Sequence, residues 1–119
     1  MKKASNEVYC VKKGLTELCY GFFSTLANPT RLAIIERLIN QPMNVTDLAE
    51  ALGQEQSMVS HNLKPLVQCS FVNAERKGKQ KVYSVNIETV EPLMETVERH
   101  AARHCGGGDA CPAQRRLGA

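Results

Sequence analysis

Residues 44–83 place two short helical patterns directly ahead of a basic hairpin, and few folds accommodate that order. Asn44 can cap the first helix, because its side chain can accept a hydrogen bond from a free amide of the first turn. Gly53 is typical of a helix end. A second helical pattern begins almost at once and covers about residues 55–69. Two helices joined by so short a turn predict a helix-turn-helix unit.

The second helical pattern divides into an apolar stripe and a polar face. Val59, Leu63, Leu66 and Val67 recur at helical spacing and are expected to face inward. The side chains outside that stripe are rich in hydrogen-bond donors, which suit phosphates and the base edges of DNA. We therefore predict DNA contacts from this helix. The candidate residues are Gln56, Ser57, Ser60, His61, Asn62 and Lys64.

A basic turn follows the second helix. Residues 71–76 and 81–85 are β-compatible runs on either side of a glycine-containing turn, and they predict a hairpin. Residues 54–83 hold five basic and two acidic side chains, a net of +3 that equals the formal charge of the whole chain. Such a cluster attracts the DNA backbone whatever its sequence, although a charge run is also typical of a solvated turn. The candidate phosphate contacts are Arg76, Lys77, Lys79 and Lys81.

In combination these segments resemble the ArsR/SmtB family of winged-helix repressors. The resemblance rests on Leu-Ala-Asn-Pro-Thr-Arg-Leu at residues 26–32 and on residues 44–52, 56–64 and 78–83. It implies a mainly α fold with a small β-hairpin, a winged helix-turn-helix that dimerises through its first and last helices. It also implies a homodimeric repressor that binds double-stranded operator DNA and leaves it when a metal ion, a metalloid or an oxidant reaches a sensor site.

Three further apolar stripes predict helices around this unit. Residues 29–40 are expected to form a central core helix that begins near Pro29. Its apolar residues are Leu32, Ile34, Ile35, Leu38 and Ile39. The stripe of the first helix consists of Val8, Val11, Leu15, Leu18, Phe22 and Leu26. The stripe of the last helix consists of Ile87, Val90, Met94, Val97 and Ala101. The resemblance implies that these two outer helices form the dimer.

The 119 residues suit one small domain. We expect a winged-helix and dimerisation domain at residues 1–105 and a flexible tail at residues 106–119, which begins with three glycines. The chain lacks the run of about 18 apolar residues that a membrane helix needs, and its first residues are too polar for a signal peptide. A cytoplasmic protein without a membrane partner is therefore expected. The sequence contains neither a nucleophile-base motif nor a glycine-rich phosphate loop, so we do not expect an enzyme.

The sensor residues are expected at the end of the last helix. The family's Cys-Val-x-Asp-Leu site has Asn44 and Thr46 in place of cysteines here, so that site is absent. Its site of acidic and histidine ligands on the last helix is matched only loosely, by Glu88 and His100.

His100 and His104 are four residues apart and share a helix face. Cys105 follows them directly, and Cys111 lies beyond a glycine linker that could fold back. Histidine nitrogen and cysteine thiolate suit a thiophilic ion of the arsenite, cadmium, zinc or copper class. A cysteine of the first helix could add a ligand. The proposed metal ligands are Cys105, Cys111, His104, His100, Cys19 and Cys10.

Two other interpretations of this cluster stay open. Cys105 and Cys111 are near enough along the chain to form a disulfide, so the protein could sense oxidants or reactive sulfur through its thiols. The histidines could also be incidental residues at a frayed helix end. Cys19 extends the stripe of the first helix and is expected in the core, although in a dimer it could still supply a thiolate to Cys105 and Cys111. Cys69 lies among apolar residues where the second helix of the unit ends and is expected to be buried.

Overall fold

A computed structural model describes residues 14–105 of the chain. Within that range the elements are α1 (Leu15–Leu26), α2 (Pro29–Asn40), α3 (Val45–Leu52), α4 (Gln56–Gln68), β1 (Val72–Lys77), β2 (Gln80–Val85) and α5 (Ile87–His104). This order is the predicted one, a mainly α fold in which an antiparallel hairpin follows a helix-turn-helix. No predicted boundary of α4 or of the two hairpin strands differs from the observed one by more than one residue. The predicted tail, residues 106–119, lies outside the described residues and includes Cys111. Val8, Cys10 and Val11 lie outside them as well.

Local capping interactions explain where α2 and α3 begin, and a glycine explains where α3 ends. The Asn28 side chain accepts a hydrogen bond from the amide of Arg31 at 3.0 Å, and the Asn44 side chain accepts one from the amide of Asp47 at 2.8 Å. Such caps contribute about 1 kcal/mol each. Gly53 ends α3 with φ of 64°, a left-handed conformation that glycine adopts without a steric penalty.

The helix-turn-helix and the base of the hairpin share one hydrophobic core. Its central side chains come from α2, α4 and the inner ends of both strands, and Val72 pairs with Val85 across the sheet. The buried residues are Leu26, Ile34, Ile35, Leu38, Leu48, Ala49, Val59, Leu63, Leu66, Phe71, Val72, Val85 and Val90. The prediction was wrong for Leu32 and Ile39, which are 37% and 44% exposed, because α2 faces this core along one stripe only.

Apolar side chains on α1 and α5 remain in solvent. On α1, Leu15 and Tyr20 are each 76% exposed and Phe23 is 54% exposed. On α5, Ile87 and Val97 are 51% and 53% exposed. The two outer helices therefore leave apolar surface uncovered by the described part of the chain, and surface of this kind commonly marks an interface.

None of the helices in residues 14–105 combines the length and the apolar character that crossing a lipid bilayer requires.

Candidate nucleic-acid interface and sensor residues

A strip of polar side chains runs along the outer face of α4. Gln56, Ser60 and Lys64 follow one another at four-residue intervals, and Ser57 and His61 repeat this spacing beside them. Residues four apart share a helix face, and all five side chains are exposed. The predicted outward position of these five residues is thus confirmed, whereas their contact with DNA stays a prediction.

Asn62 departs from the sequence-based expectation that it faces DNA. Its side chain is only 5% exposed. The side-chain oxygen accepts a hydrogen bond from Arg31 Nε at 3.1 Å, and the side-chain nitrogen donates to the carbonyl of Met58 at 3.0 Å. Both polar atoms are thus engaged inside the protein, and Asn62 is removed from the set of candidate DNA contacts.

Basic side chains crowd the turn end of the hairpin. Arg76 lies directly opposite Lys81, and Lys77 lies opposite Gln80 beside a turn in which Gly78 has φ of 65°. Like charges in opposed positions destabilise a sheet, whereas nearby phosphates would offset their repulsion. The exposed basic residues of this surface, which we call the wing, are Arg76, Lys77, Lys79 and Lys81.

The hairpin that carries the wing is joined to the start of α3 by three hydrogen bonds, made by Tyr83 and Gln80 of β2. Met43 and Tyr83 exchange backbone bonds in both directions, at 3.0 and 2.9 Å. The Asn44 side-chain nitrogen also donates to the side-chain oxygen of Gln80 at 3.0 Å. Asn44 therefore caps α3 with its side-chain oxygen and holds the hairpin with its side-chain nitrogen. Sequence reasoning identified the cap but missed the contact with Gln80, because the pairing of two distant side chains leaves no local signal.

The charge of α5 is opposite to that of the wing. Its exposed acidic residues are Glu88, Glu91, Glu95 and Glu98. Arg99 and Arg103 are its two basic residues besides histidine, so the helix has a net charge of −2 before any histidine protonation. Phosphates are therefore attracted to α4 and the wing rather than to α5.

The end of α5 brings two of the predicted sensor residues together. The imidazole rings of His100 and His104 have centroids 4.8 Å apart, and both side chains are exposed. Cys105 follows as the C-cap, half-buried, and its amide donates to the carbonyl of Ala101 at 2.8 Å. No group of three or more potential ligands among His, Cys, Asp and Glu occurs in residues 14–105. The described residues thus bring His100 and His104 together without forming a metal site by themselves. The metal ligands stay a prediction, and two of the candidates, Cys10 and Cys111, lie outside residues 14–105.

Cys19 belongs to no group of three potential metal ligands within residues 14–105. It is half-buried in a groove on α1, beside the exposed side chains of Leu15, Tyr20 and Phe23. The prediction that it belongs to the core was wrong for the single chain, because this side of α1 faces none of the core elements. It is instead part of the exposed apolar surface of α1.

Cys69 is exposed, whereas the sequence predicted a buried residue. It caps the C-terminal end of α4, just before Ser70 turns the chain with φ of 65°. Its sulfur lies 3.6 Å from the hydroxyl oxygen of Thr25. Both residues line a groove of about 550 Å³ between α1 and the end of α4. The turn directs the neighbouring Phe71, rather than Cys69, into the core.

Comparison with known proteins agrees with this geometry. The family model described as "Bacterial regulatory protein, arsR family" matches residues 28–74. The HTH-type transcriptional regulator NmtR of Mycobacterium tuberculosis is 43% identical over 89 residues, which cover 74% of each chain. The probable mercury resistance operon repressor of Streptomyces lividans is 33% identical over 108 residues, which cover 91% of this chain and 84% of that protein.

Solved structures agree as well. The crystal structure of Mycobacterium tuberculosis Rv0081 matches with a TM-score of 0.70 at 31% identity, over 77% of this chain and 93% of that one. The homodimeric winged helix-turn-helix DNA-binding domain of Mycobacterium bovis Mb0332 matches with a TM-score of 0.68 at 30% identity, over 76% of this chain and 83% of that one. The present chain belongs to the ArsR family of bacterial transcriptional regulators, which are DNA-binding winged-helix proteins and not enzymes.

Proposed function

We propose that this protein is a homodimeric repressor that binds operator DNA through α4 and the wing, and releases it when a thiophilic metal or metalloid ion binds near the end of α5. The observation that supports DNA binding is the exposed strip of hydrogen-bond donors on α4. The helix that bears this strip directly precedes the basic hairpin found in residues 14–105. Donors on a helix suit base edges, and the wing charges suit phosphates. The site of action would be the cytoplasm, where operator DNA is found.

A homodimer is supported by the exposed apolar side chains of α1 and α5. Such a dimer would present two copies of α4, and two recognition helices read half-sites about one helical turn of DNA apart. A repressor of this kind would bind a sequence with approximate twofold symmetry. The proposed contacts on each protomer are Gln56, Ser57, Ser60, His61, Lys64, Arg76, Lys77, Lys79 and Lys81.

The sensing part rests on the adjacent imidazoles of His100 and His104, with Cys105 directly after them. Imidazole nitrogen with thiolate suits ions of the zinc, cadmium or copper class, and thiolates also suit arsenite. The set fits a thiophilic ion, and Cys111, Cys19 or Cys10 would complete it. Ion binding there would bias the dimer toward a conformation whose α4 helices no longer match the half-site spacing.

The test begins with selection of a duplex from a random pool by the purified full-length protein. The selected duplex is then challenged with arsenite, cadmium, zinc and copper salts, and with hydrogen peroxide and an organic persulfide. We expect one of the ions to release the DNA and a chelator or competing thiol to restore binding. Release by oxidants alone would reject ion sensing.

Cysteine variants test which residues bind the ion that releases the DNA. Cys105→Ser and Cys111→Ser should each bind the selected duplex normally and fail to release it with the active ion, whereas Cys69→Ser should still respond. A chain that ends at Cys105 should also fail to respond. If that shortened chain is released as readily as the intact protein, Cys111 is not a ligand and the sensor lies elsewhere, at Cys10 and Cys19 in the first instance.

A thiol-based redox or reactive-sulfur sensor is the second candidate function. It is favoured by the place of Cys105, at the end of a helix and six residues before Cys111, where a disulfide requires only that the intervening chain bend back. Titration of thiols separates the two functions. A redox sensor loses titratable thiols to an oxidant and recovers them with a reductant, whereas an ion sensor recovers them with a chelator.

A further inference from the structure

Asn62 is the one buried polar side chain among residues 14–105. Burying an amide is unfavourable unless its hydrogen bonds are made inside the protein, and here both polar atoms are bonded. The nitrogen donates to the Met58 carbonyl one turn earlier in α4. Because that bond ties the amide to the backbone of its own helix, the side-chain oxygen is carried rigidly by α4.

Arg31 connects that oxygen to a second helix. Its Nε donates to Asn62 Oδ1 at 3.1 Å, and its Nη1 donates to the carbonyl of Thr25 at 3.1 Å. Thr25 lies in the last turn of α1, where carbonyls have no helical partner. Arg31 itself is in the first turn of α2. One guanidinium therefore joins the start of α2, the end of α1 and the middle of α4.

The position of Arg31 is electrostatically unfavourable for α2, but the hydrogen bonds that Arg31 donates have a fixed geometry. A cation in the first turn of α2 faces the positive end of the helix dipole, which is unfavourable. The Thr25 carbonyl at the negative end of α1 offsets that cost. The planar guanidinium also places its donors in a fixed geometry that a flexible ammonium lacks. The neighbouring contacts of α4, made by Val59, Leu63 and Leu66, are apolar and non-directional, so they restrict the rotation of the helix about its axis less sharply than a hydrogen bond of fixed geometry does.

We propose that the Arg31–Asn62 hydrogen bond, anchored on the Thr25 carbonyl, is a positioning contact that sets the angle at which α4 presents its polar strip to DNA. Asn62 directly follows His61 and lies two residues before Lys64, so a small rotation of α4 displaces both donors from base edges. The inference rests on the proposed function, in which α4 reads DNA. Neither Arg31 nor Asn62 needs to touch DNA in this role.

The test compares two labelled duplexes by fluorescence anisotropy: the one selected by the wild-type protein, and a scrambled duplex of the same composition. The full-length variants are Arg31→Met, Asn62→Leu and the two combined. Each is measured well below its thermal midpoint. Arg37→Met is the matched control, because it removes the same charge from α2, together with an exposed 3.4 Å hydrogen bond to the Ala51 carbonyl, and leaves the Arg31 contact intact.

We expect each single variant to weaken binding of the selected duplex by about tenfold or more and that of the scrambled duplex by about threefold or less. The combined variant should be no weaker than the poorer single variant, because both changes remove one contact. The slope of log affinity against log salt should stay as in the wild type, since no phosphate contact is lost. Arg37→Met should bind both duplexes as the wild type does.

Two milder changes keep the test decisive if an apolar variant does not fold. Asn62→Asp retains the acceptor for Arg31 and loses only the bond that Asn62 donates to the Met58 carbonyl, so the affinity ratio between the selected and scrambled duplexes should fall less than in Asn62→Leu, even if the added charge weakens binding of both. Arg31→Lys retains the charge but replaces the fork with one compact ammonium, so that ratio should fall.

Three results would overturn the inference. Variants that unfold at lower temperature yet bind the selected duplex normally would make the contact purely stabilising. A loss on both duplexes confined to the Arg31 variants, with a salt slope smaller by roughly one, would make Arg31 a phosphate contact. A wild-type protein that enriches no duplex would reject the proposed function itself, and this inference with it.

Discussion

Asn44 and Asn62 show how one type of side chain serves two purposes in the helix-turn-helix. An amide offers both a donor and an acceptor. Asn44, at the half-buried start of α3, uses its oxygen for its own helix and its nitrogen for Gln80 in the hairpin. Asn62, buried in α4, uses its nitrogen for its own helix and its oxygen for Arg31. Each amide thus links its own helix to another element.

Variants of Asn44 separate the two bonds. Asn44→Ala removes both and should lower the free energy of unfolding by about 1 kcal/mol, the usual value of a cap. Asn44→Ser retains a cap acceptor, so its stability should stay close to that of the wild type, but it loses the bond to Gln80. Urea denaturation measures the difference. Gln80→Ala is the control, because it removes the wing contact without touching the cap; if it destabilises as much as Asn44→Ala, the cap is not the source of the loss.

His61 and Lys64 are predicted to contact DNA from the exposed face of α4. Replacing both with alanine should weaken binding of the selected duplex by at least tenfold and leave the thermal midpoint nearly unchanged, because neither side chain is buried. Gln68→Ala, an exposed position in the last turn of α4 and one turn beyond Lys64, is the control for loss of a surface side chain outside the proposed contacts. A large loss of stability with intact DNA binding would show that His61 and Lys64 have a structural role instead.

At the scale of elements, the hairpin is a short sheet that bears charge at its turn end and apolar residues at its base. Val72 and Val85 anchor the base in the core, whereas Arg76 and Lys81 face each other in solvent. Hydrogen bonds to Met43 and Asn44 hold the hairpin against the start of α3. The wing charges are therefore held in a defined place relative to the helix-turn-helix.

Neutralising the wing should change the salt dependence of binding. Lys77→Gln combined with Lys79→Gln removes two expected phosphate contacts, so the slope of log affinity against log salt should become shallower by roughly one to two units. Anisotropy titrations over a range of salt concentrations give the slope. Arg99→Gln with Arg103→Gln, on α5, removes the same charge and should leave the slope unchanged. Equal slopes for the wing variant and the wild type would place the wing off the DNA.

At the scale of the whole molecule, the outer helices are incomplete in a single chain. Leu26 of α1 and Val90 of α5 reach the core, but most of the other apolar side chains on these helices do not. The Mb0332 domain, with the same fold, is homodimeric. Apolar faces in this position are expected to pack against a second copy, where they would add to the core of a small domain.

Phe23→Glu should shift the protein from dimer to monomer, because it places a charge in the expected interface. Sedimentation velocity measures the shift, and the affinity for the selected duplex should fall with it, since one protomer reads only one half-site. Ile39→Glu is the control, an exposed apolar side chain on α2 outside this surface. A Phe23→Glu protein that remains dimeric would place the interface elsewhere.

The sequence by itself determined the features that depend on near neighbours along the chain. The cap at Asn44, Pro29 near the start of α2, the glycine at 53 and the apolar spacing of α4 act within one or two helical turns, so these helices and the hairpin could be predicted to within a few residues. The polar strip of α4, the basic wing and the pairing of His100 with His104 follow from the same periodicities.

Only the tertiary structure decided which side chains face another element. Asn62 lies beside the apolar stripe of α4 and was predicted to face outward, but Arg31 and the end of α1 cover it. Cys69 was predicted to be buried, but the turn at Ser70 leaves it in solvent. These outcomes depend on residues distant in sequence, because burial and hydrogen-bond partners are set by whichever element packs across from a side chain, and helical or strand periodicity carries no record of that element.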